Sequence, residues 1–155
     1  MKLRLAATED TEAITALINA AFRNAEGFLF DRDRIDCDLV RSLLEKGKFV
    51  VADDNGTLAG CVYIELRGER AYLGLLSVDP QRQKTGLGST LMNEAERCCA
   101  AAGCKFMDLQ IVNLRRELPS FYRNRGYVET GTAPLTLGLN PKIPCHFVTM
   151  SKPLT

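Results

Sequence analysis

Residues Leu75 to Leu91, LLSVDPQRQKTGLGSTL, constrain the fold more than any other stretch of the chain. Leu75, Leu76 and Val78 read as the end of a buried strand. Asp79-Pro80 stops it, because proline cannot donate to a ladder and aspartate favours turns. Gly86 and Gly88 bracket Leu87, and an apolar helical pattern follows at once. A strand, a glycine loop and a helix start in this order aim several backbone N–H groups one way, at the positive end of a helix dipole. That arrangement suits a phosphate. Glycine at both positions keeps side chains out of a close approach, and Lys84 adds a positive charge.

Two familiar phosphate loops do not fit. The spacing GxxxxGK[ST] is absent, and GxGxxG fails because Gly86-Leu87-Gly88-Ser89-Thr90 is followed by Leu91. Gln83-Lys84-Thr85-Gly86-Leu87-Gly88, directly after a Val-Asp-Pro strand end, resembles the acetyl-CoA pyrophosphate loop of the GNAT superfamily of N-acetyltransferases. An ordinary strand-to-helix turn would need no such coincidence of two glycines, a lysine and a helix start.

The 155 residues are read as a single domain, 1–155, with 46% hydrophobic and 25% charged residues and a formal charge of +1. Bulk charge gives no reason to expect nucleic acid or a membrane surface as partner. No apolar run approaches the ~20 residues of a membrane span, and the N-terminus lacks the apolar core of a signal peptide, so a cytoplasmic location is expected. The six cysteines form no CxxC pair, and His146 is the only histidine. No metal is therefore expected, and the cysteines read as small buried hydrophobes, with Cys145 the most reachable.

Taken in order, the chain predicts a strand over Lys2–Ala7, a helix capped by Asp10 with Ile14, Leu17, Ile18, Ala21 and Phe22 on one face, an irregular segment over 24–36, and a second helix over Asp36–Lys46 ended by Gly47. Phe49–Asp53 and Leu58–Leu66 form a hairpin across Asn55-Gly56, since both central residues of a type I′ turn need positive φ. Ala71–Val78 feeds the glycine loop, and a helix runs from the loop to Gly103. Further expectations are a strand over Lys105–Val112, a helix over Arg115–Arg125 with Pro119 in its first turn, a strand over Tyr127–Glu129, and a last strand over Cys145–Met150. The implied fold class is α/β (mixed α+β), with a mostly antiparallel sheet and helices on both faces. This order resembles the GNAT acyl-CoA acyltransferase fold over nearly the whole chain.

The resemblance implies acetyl-CoA as cosubstrate and an amine, on a small molecule or a protein, as acceptor. By it, Leu76, Ser77 and Val78 offer backbone contacts to the pantetheine arm, which would add like a strand to the sheet. Gln83, Lys84, Thr85, Gly86, Leu87, Gly88 and Ser89 would take the pyrophosphate. Ser120-Phe121-Tyr122-Arg123-Asn124-Arg125-Gly126-Tyr127 resembles the family's FYxxxGF segment, whose tyrosine assists the leaving thiolate, and Tyr122 matches it. The family's asparagine about seven residues earlier is replaced by Arg115, which suits either a phosphate or carboxylate contact or a solvated helix face. Many relatives carry a glutamate base where this chain has Tyr72. Glu65 on the preceding strand is then the nearest carboxylate by topology, and an ordered water is the other route for the proton. The acceptor site would be bordered by Glu26–Asp36, with Phe28 and Phe30 among mixed charges, and by Gly131–Cys145. A non-catalytic acyl-CoA-binding or sensing domain is the alternative of another class. A Rossmann enzyme would need a parallel sheet, which the Asn55-Gly56 hairpin contradicts. The acceptor's identity is left open, and a homodimer is allowed.

Overall fold

The computed structural model describes residues 1–135 and 139–154. Among them, seven strands form one sheet in the order β1-β2-β3-β4-β5-β7-β6. The strands are β1 (Lys2–Leu5), β2 (Lys48–Asp54), β3 (Thr57–Arg67), β4 (Arg70–Val78), β5 (Phe106–Val112), β6 (Val128–Ala133) and β7 (Phe147–Pro153). The helices are α1 (Thr11–Glu26), α2 (Cys37–Lys46), α3 (Leu87–Ala101) and α4 (Leu118–Arg123). Every neighbouring pair is antiparallel except β4 and β5, which α3 joins as a parallel crossover.

The two helical layers follow from the pleat, since successive side chains of a strand leave on opposite faces. On β2, Phe49 and Val51 meet Ile14, Ile18 and Val40 of α1 and α2. Val50 and Ala52 face the other way, among Leu91, Met92 and Ala95 of α3. A strand covered on both faces has no polar side, which is why FVVA reads as a continuous apolar run. The β2–β3 hairpin closes on Asn55 at φ 52° and Gly56 at φ 93°, as a type I′ turn requires.

Several boundaries differ from the sequence reading. β1 stops at Leu5. Asp10 stands at the start of α1 but does not cap it. Its carboxylate turns back to accept from the Ala7 N–H at 2.7 Å and from the Arg4 guanidinium. Asp36 does cap α2, accepting from the Leu39 N–H at 2.8 Å. α4 is shorter than 115–125, because Arg115 to Glu117 form a turn in which the Arg115 N–H reaches the Val112 carbonyl at 2.9 Å. β6 runs on to Ala133. β7 is displaced toward the C-terminus and pairs with β5 all the way to Pro153. Polar Ser151-Lys152-Pro153 hid that extension, since a strand end beside another strand needs no apolar side chain.

Candidate active site

The cleft begins where β4 and β5 part. Their parallel pairing runs from Arg70↔Phe106 to Tyr72↔Asp108 and stops. β5 meanwhile stays paired with β7 as far as Val112↔Phe147. Arg70 closes the joined end through two bonds to the Asp108 carboxylate, Nε–Oδ2 at 2.7 Å and Nη2–Oδ1 at 2.6 Å. On its other side β4 is bulged against β3 between Cys61 and Tyr63, with Leu75 at φ 55°. A bulge bends the strand and increases its twist, which aims Leu76–Val78 away from β5. The result is a cleft of about 600 Å³ between Leu73–Val78 and Leu109–Val112, open to solvent at its mouth.

The glycine loop lies at one end of this cleft, and Gln83 through Ser89 line it together with Leu76, Ser77 and Val78. Gly86 precedes α3 at φ 84°, a left-handed conformation that costs a residue with a β-carbon. The first backbone bond of the helix runs from Thr90 N–H to Gly86 C=O at 3.1 Å, so the N–H groups of the first turn before it have no intrahelical acceptor. A β-carbon on Gly88 would meet nothing closer than Val78 Cγ2 at 4.0 Å. The loop thus offers free donors, a helix dipole and clear space, which fits a pyrophosphate. Leu87 and Ser77 also have structural work. The Leu87 side chain is buried beneath α3, and the Ser77 hydroxyl donates to the Leu75 carbonyl at 3.0 Å.

Tyr122 reaches the cleft from α4. Its ring is held edge-on between Phe121 and Tyr127, with centroids 5.1 and 5.8 Å away. Although the residue is only 6% exposed, its hydroxyl has no hydrogen-bond partner among the described residues and is not sealed from solvent, so it faces the cleft. Burial pushes the phenol up to about 12, opposed by the nearby Arg115 and Arg125 charges. It therefore stays protonated throughout the neutral range.

Glu65 does not line the cleft. It pairs with Tyr72 across the β3–β4 ladder, and its carboxylate accepts from Tyr63 Oη and Arg67 Nε, both at 2.6 Å. Those hydrogen bonds hold it below the usual carboxylate range, which weakens it as a base. Tyr72 lies inside the cleft instead, with Arg67 stacked on its ring at 4.6 Å.

The other end of the cleft is walled by the segment after α1. Glu26 is 5% exposed, and its Oε2 accepts from Arg115 Nη1 at 2.7 Å. Arg115 Nε also donates to Glu117 at 2.6 Å, so this arginine is not a solvated helix charge but is anchored in the cleft wall by two carboxylates. Glu26, Phe30 and Arg34 line this end, while the expected border 131–145 includes residues 136–138, which lie outside the described residues. The sequence placed Glu26 in a mixed-charge segment bordering the acceptor site. Nothing in the local pattern marked it as the buried partner of a residue 89 positions away. Among the described residues, no group of three or more His, Cys, Asp or Glu side chains could hold a metal ion, and no helix is long and apolar enough to cross a membrane.

Residues 45–129 match the Acetyltransferase (GNAT) domain. The chain belongs to the GNAT acetyltransferase family. The GNAT domain match spans the hairpin, the glycine loop, α3 and the Tyr122 segment. The uncharacterized protein YdhI of Bacillus subtilis is 25% identical over 100 residues, which cover 62% of this chain and 61% of YdhI. The alignment thus spans less than two thirds of that relative's length. Among solved structures, the ribosomal-protein-alanine N-acetyltransferase of Brucella melitensis superposes with a TM-score of 0.80 at 20% identity, covering 99% of each chain. An aminoglycoside 6'-N-acetyltransferase complexed with coenzyme A superposes with a TM-score of 0.78 at 18% identity, covering 100% of this chain and 98% of that one. At such identities the likeness shows the GNAT fold and leaves the acceptor open.

Proposed function

We propose that this GNAT protein transfers the acetyl group of acetyl-CoA to a primary amine by direct attack within a ternary complex. The observation that carries the reading is one continuous cleft. It joins unpaired N–H donors at the Gly86–Ser89 loop to an unpaired tyrosine hydroxyl between the parted strands. Backbone groups of Leu76, Ser77 and Val78 would hold the pantetheine arm as an added strand, and Gln83 to Ser89 would hold the pyrophosphate. The complex of a neighbouring fold with coenzyme A supports the choice of cosubstrate.

In this reading Tyr122 hydrogen-bonds to the sulfur as negative charge develops there. With its phenol near 12 and a thiol near ~8.5, full proton transfer would be uphill by roughly 5 kcal/mol, at ~1.4 kcal/mol per unit. Donation without transfer is the economical role. No side chain stands out as an acyl-carrying nucleophile. The amine's proton leaves through water at the open mouth, since Glu65 is committed elsewhere. Tyr72, standing in the cleft where relatives often carry glutamate, favours a second reading, in which the domain binds acyl-CoA without catalysis.

A screen of amines with acetyl-CoA, read by release of free thiol, tests the function, and calorimetry with CoA in the presence of a chelator tests the cosubstrate. Binding with thiol release supports the transferase. Binding with no release from any amine supports the sensing domain, and no binding sinks both.

A further inference from the structure

A side recess of about 170 Å³ opens off the acceptor end of the cleft, and Phe22, Glu26, Phe30 and Arg34 line both spaces. Charges around the recess are mostly spent on one another. Arg23 pairs with Asp33 at 2.8 Å, Lys142 with Asp31 at 2.8 Å, and Arg115 with both Glu26 and Glu117. Arg34 has no carboxylate partner and no hydrogen bond among the described residues. Its guanidinium lies 5.5 Å from the centroid of the Phe22 ring. The remaining unpaired arginine of this segment, Arg32, is exposed, whereas Arg34 is partly buried.

The opposite charge stands on the same junction. Glu26, Arg115 and Glu117 together carry one net negative charge, and Glu26 is the most buried of the acidic groups there. Glu26 Oε2 is taken by Arg115, while no partner engages Oε1 among the described residues. The junction is therefore bipolar, lined by a cation without a carboxylate partner, by a carboxylate with one oxygen still unengaged, and by the Phe22 and Phe30 rings. A polyamine would meet Arg34 as a like charge, which is destabilising in a partly dry site. A zwitterion would satisfy both ends, and guanidinium is suited to a carboxylate because its fork matches the two oxygens.

We propose that the acetyl acceptor is an amine that also carries a carboxylate, of the amino-acid type, with Arg34 holding the carboxylate and Glu26 receiving the ammonium. This inference rests on the acetyl-transfer reading above and narrows its acceptor class. Arg34, Glu26 and Tyr122 all line the same cleft.

The test uses a panel of amino acids, each with its primary amide and its decarboxylated amine. All are assayed with acetyl-CoA by thiol release, on the wild-type protein and on Arg34→Gln and Arg34→Lys. The expected result is kcat/KM at least tenfold higher for the carboxylate form than for its amide or amine on the best-accepted skeleton. Arg34→Gln should remove that preference through KM and leave KM for acetyl-CoA unchanged, and Arg34→Lys should restore part of it. Equal or better use of the amides or amines would overturn the inference, as would an unchanged preference in Arg34→Gln. So would a protein that binds CoA by calorimetry yet acetylates only amines lacking a carboxylate, or no member of the panel. Absence of CoA binding would overturn the acetyl-transfer reading itself. Equal melting temperatures for the three proteins confirm that Arg34→Gln reports on the site and not on folding.

Discussion

The ring of Tyr72 fills the space that a side chain at Gly74 would need. A β-carbon there would stand 2.9 Å from both Cε2 and Oη of the tyrosine. The two residues lie two apart on β4 and so share a face of the sheet. The missing side chain lets the ring lie along the strand into the cleft, beyond the point where β4 and β5 cease to pair.

Gly74→Ala should therefore move Tyr72. Overpacking of this kind costs about 1–3 kcal/mol. The melting temperature should fall by a few degrees, and KM for the amine should rise while KM for acetyl-CoA stays near its wild-type value. Gly74→Ala/Tyr72→Phe would relieve only the hydroxyl contact, whereas Gly74→Ala/Tyr72→Ala should recover the lost packing strain. Steady-state kinetics with both substrates, beside thermal melts, check this. An unchanged amine KM in Gly74→Ala would show that Tyr72 does not shape the acceptor side.

Gly88→Val examines the loop. A β-carbon at Gly88 meets nothing closer than Val78 Cγ2 at 4.0 Å, so the fold should survive the change. It would project where a phosphate must approach the N–H groups of α3, and CoA binding measured by calorimetry should be lost. Gly86→Ala differs in kind, since its cost is backbone strain at φ 84°, typically about 1–2 kcal/mol.

These sites were legible in the sequence to unequal degrees. The glycine loop was plain because backbone geometry demanded particular residues at particular places, and the Asn55-Gly56 hairpin was plain for the same reason. The Tyr122 segment was placed by its resemblance to a family motif. Glu26–Arg115 was hidden, because a long-range ion pair depends on the tertiary fold and leaves no local period. Glu65 shows the opposite failure. Topology put it one strand from the cleft, but the alternation of side chains gives it to Tyr63, its neighbour two positions away on the same face.

Glu65→Gln should consequently leave the acidic limb of the kcat/KM profile in place. Glutamine can still accept from Tyr63 and occupies the same volume. The change appears in stability instead. Because Tyr63 and Arg67 hold the Glu65 carboxyl below its ordinary value, its contribution is present above about pH 4.3 and fades as pH falls through the depressed value. Melting temperatures of wild type and Glu65→Gln should differ near neutrality and converge in acid. A flattened acidic limb would make Glu65 part of the proton route after all.

Asp108→Asn tests the joined end of the cleft. Arg70 and Ser151 both engage this carboxylate, and Arg70 holds it below the usual range. Its stabilising effect is present above about pH 4 and is lost as pH falls. The ion pair is partly exposed, so solvent and salt weaken it. The variant should melt slightly lower at neutral pH, with the gap closing both in acid and in high salt. A gap that persists in acid would mean that packing, not charge, holds β4 to β5 there.

Tyr122→Phe isolates the hydroxyl. The ring contacts with Phe121 and Tyr127 survive the change, and the hydroxyl has no protein partner to lose, so stability should move little. The loss should fall on kcat. Removing a positioned donor typically costs about 10²–10⁴ in rate, and the lower part of that range is expected because a thiolate is a fair leaving group unassisted. KM for acetyl-CoA should barely change, since the proposed ground-state contacts are mostly backbone. The pH dependence gives a second sign. A phenol pushed up to about 12 remains a donor through pH 10, so a basic limb below that value belongs to another group and should persist in Tyr122→Phe. Folding contributes in the same direction. Stability owed to the neutral phenol is full below ~10 and declines as pH rises toward about 12. Full kcat in the variant would reduce Tyr122 to a core residue, and a large rise in KM at constant kcat would make it a binding residue.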